Sequence, residues 1–423
     1  MSWTGKNISS LAVNAAALII SLVQAVVLAR ILGASGYGIY SHVFALVSMM
    51  VIPFQFGLVN LVIRETAKHQ ALGNWSLIHG VWHWSGLCVI SLSALYAIAA
   101  GSWIALAGAE PASAFPTTLA YGLLLPPLIG IANLYGARLR GLRCVIQGRL
   151  PSEIIRPGLF VAILALIPLL GPSPIGADQT MLLHAIAAGI TLLTAAFMAR
   201  RATPAPMLEQ RTRQFEGSYW LRCAVPMTMA AGVQILLSNS SLLLLGWLSS
   251  AEDVGIYNVS LKGAMLVLFG LQATNMIFMP YFARLHAQNE TGKLAALIKQ
   301  SGRITLLIAF PAASMFIFFG ADFLRIVFGH EFIEGATPLA ILSAGQLLGA
   351  YGGTIAAALA MTGREKNVAT CVGLSLASNI VLGLVLIPEF GMNGAAIASA
   401  LALLIYSVTM HIMKPGIVTQ TPS

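Results

Sequence analysis

Long stretches without a charged residue recur along the whole chain. Examples are Asn7–Ala29, Val81–Ala107, Cys223–Ala251 and Gly335–Gly363. Each is long enough to cross a hydrocarbon core, because a helical span needs about 20 apolar residues. Only 9% of the 423 residues are charged and 58% are hydrophobic, which is too little charge to cover a water-soluble domain. The pattern predicts an all-α polytopic membrane protein.

The apolar stretches predict about twelve transmembrane helices. They are expected near residues 8–31, 39–62, 80–107, 114–137, 150–170, 177–199, 219–247, 254–282, 303–320, 335–361, 367–388 and 394–413. With the N-terminus placed inside, eighteen of the 23 Lys and Arg residues fall in inside connectors, and Arg325 alone falls in an outside loop. Cationic loops stay on the cytoplasmic side, so both termini are predicted to be cytoplasmic.

A short motif recurs at equivalent places in the two halves. Gly38-Ile39-Tyr40 returns as Gly255-Ile256-Tyr257, each copy just after an outside turn and at the start of an even-numbered span. Copies six spans apart are expected of a parallel six-plus-six repeat, which usually forms two bundles that rock around a central site. The predicted domains are an N-terminal six-helix lobe at 1–199, a cytoplasmic linker at 200–217 and a C-terminal six-helix lobe at 218–423.

Four cationic residues remain inside the predicted spans or at their ends: Arg30, Arg156, Arg222 and Lys262. Lys262 follows Val254 by eight residues, which places it about 12 Å below the outside end of span eight. A charge at that depth must face water, a partner or a ligand. Two interpretations stay open. The long side chains reach back to the headgroups, or Arg30, Lys262 and Arg222 line a cavity between the lobes and attract an anionic ligand.

Acidic residues are scarce where a transporter of cations would need them. Spans one, two, seven and eight contain no Asp or Glu, so no obvious buried acid is available for proton coupling, and the predicted cavity favours anions. Glu153 precedes Arg156 by three residues, a spacing at which an ion pair could neutralise the arginine. Amides also interrupt the spans, and we expect them either to join helices by hydrogen bonds or to bind sugar hydroxyls. The candidates are Asn14, Gln24, Gln234 and Asn239.

Several classes of function lack their residues in this sequence. It contains no phosphate-binding loop, zinc-protease helix or nucleophile elbow, so neither enzyme activity nor a cofactor is predicted. His79 and His83 are four residues apart with no acidic residue nearby, which disfavours a metal site. The net charge of +9 lies mainly in short inside loops. Topology and anionic headgroups explain it better than nucleic acid does.

Several segments resemble one known family. They are Leu28-Ala29-Arg30-Ile31-Leu32-Gly33, Tyr37–Tyr40, Gly57-Leu58, Ile63-Arg64-Glu65, Val254–Asn258 extending to Lys262, and Gly391–Ala398. Their order and spacing are similar to those of the polysaccharide transporters. These form the oligosaccharide-flippase branch of the multidrug/oligosaccharidyl-lipid/polysaccharide exporter superfamily.

The resemblance implies a V-shaped, two-lobe flippase in a bacterial inner membrane. Such a protein carries an undecaprenyl-pyrophosphate-linked oligosaccharide, such as an O-antigen unit of lipopolysaccharide, from the cytoplasmic to the periplasmic leaflet by alternating access. The resemblance places the cavity cations of the family at Arg30 and Lys262. The expected partners are the anionic lipid-linked oligosaccharide, the lipid bilayer, a polysaccharide polymerase and a chain-length regulator. Coupling to H+ or Na+ stays unassigned.

Three other functions stay open. A multidrug exporter of the toxin-extrusion family would need a functional carboxylate in the lobes. A flippase for the peptidoglycan lipid precursor would also carry an anion. An integral membrane glycosyltransferase or polymerase would need catalytic groups on a sizeable outside loop, whereas the longest outside connector here covers only about residues 320–335.

Overall fold

The computed structural model describes residues 3–55, 57–106, 114–170, 175–205, 207 and 212–413. Within these ranges the regular structure is helical and no strand occurs, as the sequence predicts. The helices before the predicted linker are α1 (Trp3–Gln55), α2 (Leu58–Ala71), α3 (Trp75–Leu106), α4 (Ala114–Gly122), α5 (Leu125–Gly141), α6 (Val145–Leu150), α7 (Arg156–Leu170) and α8 (Ala177–Ala202). A π-helical turn, Pro151–Ile155, joins α6 to α7.

The helices after the predicted linker are α9 (Gly217–Leu248), α10 (Ala251–Met265), α11 (Phe269–Ala287), α12 (Thr291–Val327), α13 (Ala336–Met361) and α14 (Glu365–Met413). Two 3₁₀ turns connect neighbours in this set. Leu266–Leu268 lies between α10 and α11, and His330–Gly335 lies between α12 and α13.

Nine helical segments of the described chain are long and apolar enough to cross a membrane. Three of them contain a break: Gly33 in α1 and Gly391 in α14 have positive φ angles of 67° and 53°, and Phe319 in α12 has non-helical backbone angles. The chain turns back at Gly391, since Ser375 Oγ donates a hydrogen bond of 2.9 Å to the carbonyl of Ala402. In a straight helix these two residues would lie about 40 Å apart.

The predicted spans map onto these segments. Span one and most of span two lie in α1, on either side of its break, and span two continues into α2. Spans eleven and twelve share α14, and the stretch predicted as span five begins at the last residue of α6 and contains the π-helical turn and α7. The prediction of a polytopic, all-α membrane protein is confirmed. The count of about twelve spans stays a prediction.

The chain divides into two compact units. The first unit comprises the residues before Ile19, Leu28–His42 and the residues from Leu236 onward. The second unit comprises Ile19–Val27 and Val43–Ile235. The predicted lobe boundaries at 199 and 218 stay predictions.

Each unit has its own buried apolar core. In the second unit, Leu61, Val81 and Trp220 are fully buried in one cluster. In the first unit, Phe282 and Leu294 belong to another. The packing of such cores, more than intrinsic helix propensity, fixes the positions of the helices.

The two copies of the repeated motif pack directly against each other within the first unit. A methyl group on Gly38 would overlap the carbonyl oxygen of Ala251 and lie 3.0 Å from the backbone nitrogen of Gly255. A methyl group on Gly255 would overlap the carbonyl oxygen of Ala34 and lie 3.1 Å from the nitrogen of Gly38. Ala34 and Gly38, like Ala251 and Gly255, are small residues four apart, the spacing that lets helix backbones approach closely in membranes. The repeat therefore marks a symmetric helix crossing.

Substitution of either glycine at this crossing tests its closeness. Gly38→Ala and Gly255→Ala are each expected to lower the free energy of unfolding by about 1–3 kcal/mol, because the added methyl group overlaps the opposite carbonyl. The control is Gly189→Ala in α8, where a methyl group meets no atom within 4 Å. Thermal unfolding in detergent should show a lower midpoint for the first two variants only. Equal unfolding midpoints for Gly38→Ala and Gly189→Ala would contradict a close helix crossing at Gly38.

Candidate functional site

Lys262 lies in the last turn of α10, in the first unit, and its side chain is partly exposed. The helix is otherwise deeply packed, with every residue from Val254 to Ser260 buried. Three residues after Lys262 the α-helix ends and the 3₁₀ turn begins. The residue is therefore held on a well-packed helix, close to a local change of helix geometry.

Two hydrogen-bond networks fix α10. Asn258 Nδ2 donates to the Tyr37 hydroxyl at 2.9 Å and to Ser41 Oγ at 2.7 Å, which ties α10 to the part of α1 after Gly33. The Tyr257 hydroxyl lies 3.0 Å from Ser399 Oγ. Ser399 is in turn 2.8 Å from Ser241 Oγ of α9. These bonds satisfy polar groups that would be costly to leave unpaired in hydrocarbon.

Beyond the first turn of α10, Lys262 differs from the other polar side chains of the helix in its hydrogen bonding. Tyr257, Asn258 and Ser260 all have hydrogen-bond partners. The Lys262 ammonium has no hydrogen-bond or ion-pair partner among the residues that the structure describes. A lysine at this depth needs water or an anion to stabilise its charge. Its position fits the interpretation that it meets a ligand.

Arg30 contacts the end of another helix in the same unit. Its Nε donates to the carbonyl of Val327 at 2.9 Å and its Nη2 donates to the carbonyl of Ile326 at 2.7 Å. These carbonyls belong to the last turn of α12, where unsatisfied carbonyls and the helix dipole favour a cation. The backbone N–H of Ala34 donates in return to Glu331 Oε2 at 3.1 Å. We call Arg30, Ala34, Glu331 and the two carbonyls the Gly33 clamp.

The Gly33 clamp changes the interpretation of Arg30. Neither headgroup snorkelling nor ligand binding is needed to explain an arginine that joins the break in α1 to α12. The guanidinium carries five N–H donors, of which two are used here, and its side chain stays exposed. A role of Arg30 in substrate binding stays a prediction.

The other predicted site residues divide between the units. Asn14 and Asn239 belong to the first unit and are partly exposed. Gln24, Arg222 and Gln234 belong to the second unit; Gln24 is partly exposed, whereas Arg222 and Gln234 are exposed. Arg222 lies on α9 and has no ion-pair partner in the described part of the chain. Substrate binding by these five residues stays a prediction.

Glu153, which the sequence predicts to pair with Arg156, forms an ion pair with Arg149. Glu153 accepts two hydrogen bonds from Arg149, at 2.8 Å from Nε and 2.6 Å from Nη2. The charge of Glu153 is thereby balanced by the preceding arginine.

Sequence reasoning missed a buried carboxylate in the second unit. Glu65 is fully buried in α2, and its oxygens lie 2.8 Å from Arg64 Nη2, 3.3 Å from His69 Nε2 and 3.9 Å from Lys68 Nζ. The expectation that no buried acid is present is therefore wrong. The predicted span two ended at residue 62, whereas α2 continues to Ala71. The signal was available, because basic residues follow Glu65 at three and four positions.

The sequence matches known proteins as well. A family model described as "Polysaccharide biosynthesis protein" matches residues 27–337. A curated relative from Haloferax volcanii, "Probable low-salt glycan biosynthesis flippase Agl15", is 26% identical over 165 residues. This match covers 39% of the present chain and 35% of the relative, so the chain matches about a third of that protein's length.

The fold is similar to those of solved transporters. One is an inward-facing multidrug resistance MATE family transporter of the MOP superfamily, with a TM-score of 0.76, 11% identity and 96% coverage of both chains. Another is the lipid II flippase MurJ in an inward closed conformation, with a TM-score of 0.73, 12% identity, and coverage of 95% of this chain and 86% of that one. At such low identity these similarities establish the fold alone.

The Gly33 clamp predicts a structural effect of Arg30. Arg30→Ala is expected to lower the free energy of unfolding by about 1 kcal/mol or more, because two charge-assisted hydrogen bonds to α12 are lost. Arg325→Ala is the control, since its ion pair with Asp322 is exposed and is expected to contribute about 0.5 kcal/mol or less. Thermal unfolding in detergent measures both. A smaller loss for Arg30→Ala than for Arg325→Ala would rule out a clamp.

The buried carboxylate gives a second stability prediction. Glu65→Gln is expected to cost about 1–3 kcal/mol, because the carboxylate that pairs with Arg64 and Lys68 loses its charge. The loss should stay below that of a fully enclosed pair, since the Arg64 and Lys68 side chains are about half exposed and regain water. Glu290→Gln, at an exposed pair with Lys293, should change stability by about 0.5 kcal/mol or less. Denaturation midpoints that match for the two variants would show that Glu65 is not part of a stabilising cluster.

Proposed function

Because the chain belongs to the polysaccharide biosynthesis protein family, we propose that it is a flippase for a lipid-linked oligosaccharide. The resemblance predicted from the sequence is confirmed by the family match over residues 27–337. The name of the Haloferax volcanii relative, a probable glycan biosynthesis flippase, supports the same activity. The helical fold, shared with transporters of the MATE and MurJ type, supports transport across the membrane without covalent chemistry.

The proposed cargo is an undecaprenyl-pyrophosphate-linked oligosaccharide, such as an O-antigen repeat unit. A pyrophosphate carries at least two negative charges and is stabilised by charge-assisted hydrogen bonds from cations. Lys262, without a partner in the described chain, is the residue best suited to receive it. The sugar needs hydrogen-bonding side chains, and Asn14, Gln24, Gln234 and Asn239 stay the candidates. The prenyl chain remains in lipid.

The physical task of the protein is to lower the cost of moving a polar headgroup across hydrocarbon. Each buried polar group without a hydrogen bond costs several kcal/mol, so an unassisted sugar headgroup does not cross. A hydrated, cationic path on the protein replaces these lost interactions. We propose that the path opens alternately to the cytoplasm and the periplasm of a bacterial inner membrane, with both termini in the cytoplasm. A polymerase and a chain-length regulator are the proposed downstream partners.

The competing functions differ in the charge that they require. A multidrug exporter of cations needs an available carboxylate inside the membrane. The buried Glu65 already pairs with Arg64 and Lys68, which disfavours that use. A flippase for the peptidoglycan lipid precursor is also compatible with Lys262. Deletion of the gene distinguishes it, since loss of that precursor's transport is lethal whereas loss of surface polysaccharide is not.

Substitution of Lys262 tests the proposed function. In a strain that lacks its own flippase, the wild-type gene should restore surface glycan, and Lys262→Ala should reduce it roughly tenfold to a hundredfold. This range corresponds to one charge-assisted hydrogen bond of about 1.5–3 kcal/mol. Lys262→Arg, which keeps the charge, should restore part of the transport.

The control for this experiment is Lys293→Ala. Lys293 is exposed at the start of α12 and pairs with Glu290, so its loss should leave glycan unchanged. Immunoblots must show equal amounts of each variant in the membrane. Unchanged glycan in Lys262→Ala refutes the role of Lys262, and failure of the wild-type gene across several glycan backgrounds refutes the flippase.

A further inference from the structure

A groove of about 580 Å³ opens on the first unit, between α12, α13 and the part of α14 after Gly391. One side is apolar, with Leu307 75% exposed and Phe310 60% exposed. Arg303 lies on the same face of α12, four residues before Leu307 and seven before Phe310. The face thus has a cationic residue at one end and exposed apolar side chains over the next about 10 Å.

Glycines bring the three helices close together around this groove. A methyl group on Gly302 would lie 2.5 Å from Cε2 of Tyr351, so the tyrosine ring packs directly on α12 beside Arg303. A methyl group on Gly352 would lie 2.8 Å from Cα of Ser407, so α13 and α14 also approach closely. Tyr351 and Ser407 both line the groove together with Arg303. Three polar side chains therefore share one otherwise apolar groove.

These three polar groups have no partner in the protein as far as the structure describes it. The Arg303 guanidinium, the Tyr351 hydroxyl and the Ser407 hydroxyl make no hydrogen bond or ion pair there. Other hydroxyls of α14 behave differently. Thr409 donates to the carbonyl of Ile405 at 2.8 Å, and Ser378 donates to that of Leu374 at 2.6 Å. Ser407 forgoes this usual bond within its helix, which leaves its hydroxyl available to a ligand.

The charge of the groove indicates the kind of ligand. No acidic residue lines it. Arg303 shares α12 with Lys293 and Lys299, at the end predicted to be inside from the charge pattern. Basic pockets between transmembrane helices on the cytoplasmic side bind the headgroups of anionic lipids. An arginine with two hydroxyls provides the donors that a phosphodiester needs, and the exposed leucine and phenylalanine suit an acyl chain.

We propose that this groove binds an anionic phospholipid of the inside leaflet. Its phosphate meets Arg303, Tyr351 and Ser407, and one acyl chain lies along Leu307 and Phe310. The lipid covers apolar surface and satisfies three polar side chains at once. The site shares no residue with the proposed transport path at Lys262, so it does not depend on the flippase proposal.

Native mass spectrometry of the full chain with phosphatidylglycerol or phosphatidylcholine tests the site. Phosphatidylglycerol should bind about fivefold more tightly, the contribution of one basic residue at a lipid surface. Arg303→Ala should remove this preference, and Tyr351→Phe, which keeps the ring, should weaken it. Arg284→Ala is the matched control, because Arg284 is exposed in the last turn of α11 and lies outside the groove.

The location needs a second measurement. Phosphatidylglycerol with a photoreactive acyl chain should label the α12 peptide that contains Leu307 and Phe310, and excess inorganic phosphate should not compete with it. Equal binding of both lipids, equal losses in Arg303→Ala and Arg284→Ala, displacement by phosphate alone, or labelling confined to other helices would each overturn the proposal. Labelling of a co-purified protein at this groove would overturn it too.

Discussion

The low polarity of the bilayer constrains every charge and every polar group in this protein. Hydrocarbon offers no hydrogen bonds, so a polar side chain inside it must find a partner in the protein, a ligand or water. Several polar groups of the described chain find such partners within the protein. Glu65 is surrounded by three basic residues, Glu153 holds Arg149, and Asn258 holds Tyr37 and Ser41. Lys262 stands out because the other polar side chains in the interior of α10 have hydrogen-bond partners, whereas Lys262 has none among the described residues.

The close crossing at Gly38 and Gly255 places α10 where these contacts form. Because neither glycine has a side chain, the two backbones approach closely. A methyl group added to either glycine would lie about 3 Å from the backbone nitrogen of the other. One turn beyond, Asn258 reaches Tyr37 and Ser41. The Gly33 clamp holds the start of the same part of α1 against α12. The helix that carries Lys262 is thus fixed by contacts that do not involve the lysine itself.

Much of this architecture follows from the sequence, for physical reasons. Charge-free stretches give helices in a membrane, and the family resemblance rests on segments that recur in order. The repeated glycines were predicted as a sign of internal duplication, but nothing local indicated that the two copies touch. Likewise, the partners of Arg30 are almost 300 positions away, so no spacing rule reveals them. Glu65 was missed for a simpler reason: the apolar window ended before the helix did, although its basic neighbours signalled a buried pair.

The proposed function depends most on whether Lys262 faces water, and cysteine accessibility measures this directly. Lys262→Cys would be made in a chain whose native cysteines, Cys88, Cys144, Cys223 and Cys371, are replaced by alanine. A charged, membrane-impermeant thiol reagent would then be applied to both sides of membranes, with Leu307→Cys, on an exposed apolar face, as the lipid-facing reference. We predict rapid modification at position 262 and slowing by the lipid-linked oligosaccharide. Modification no faster than at position 307 would contradict the proposed function.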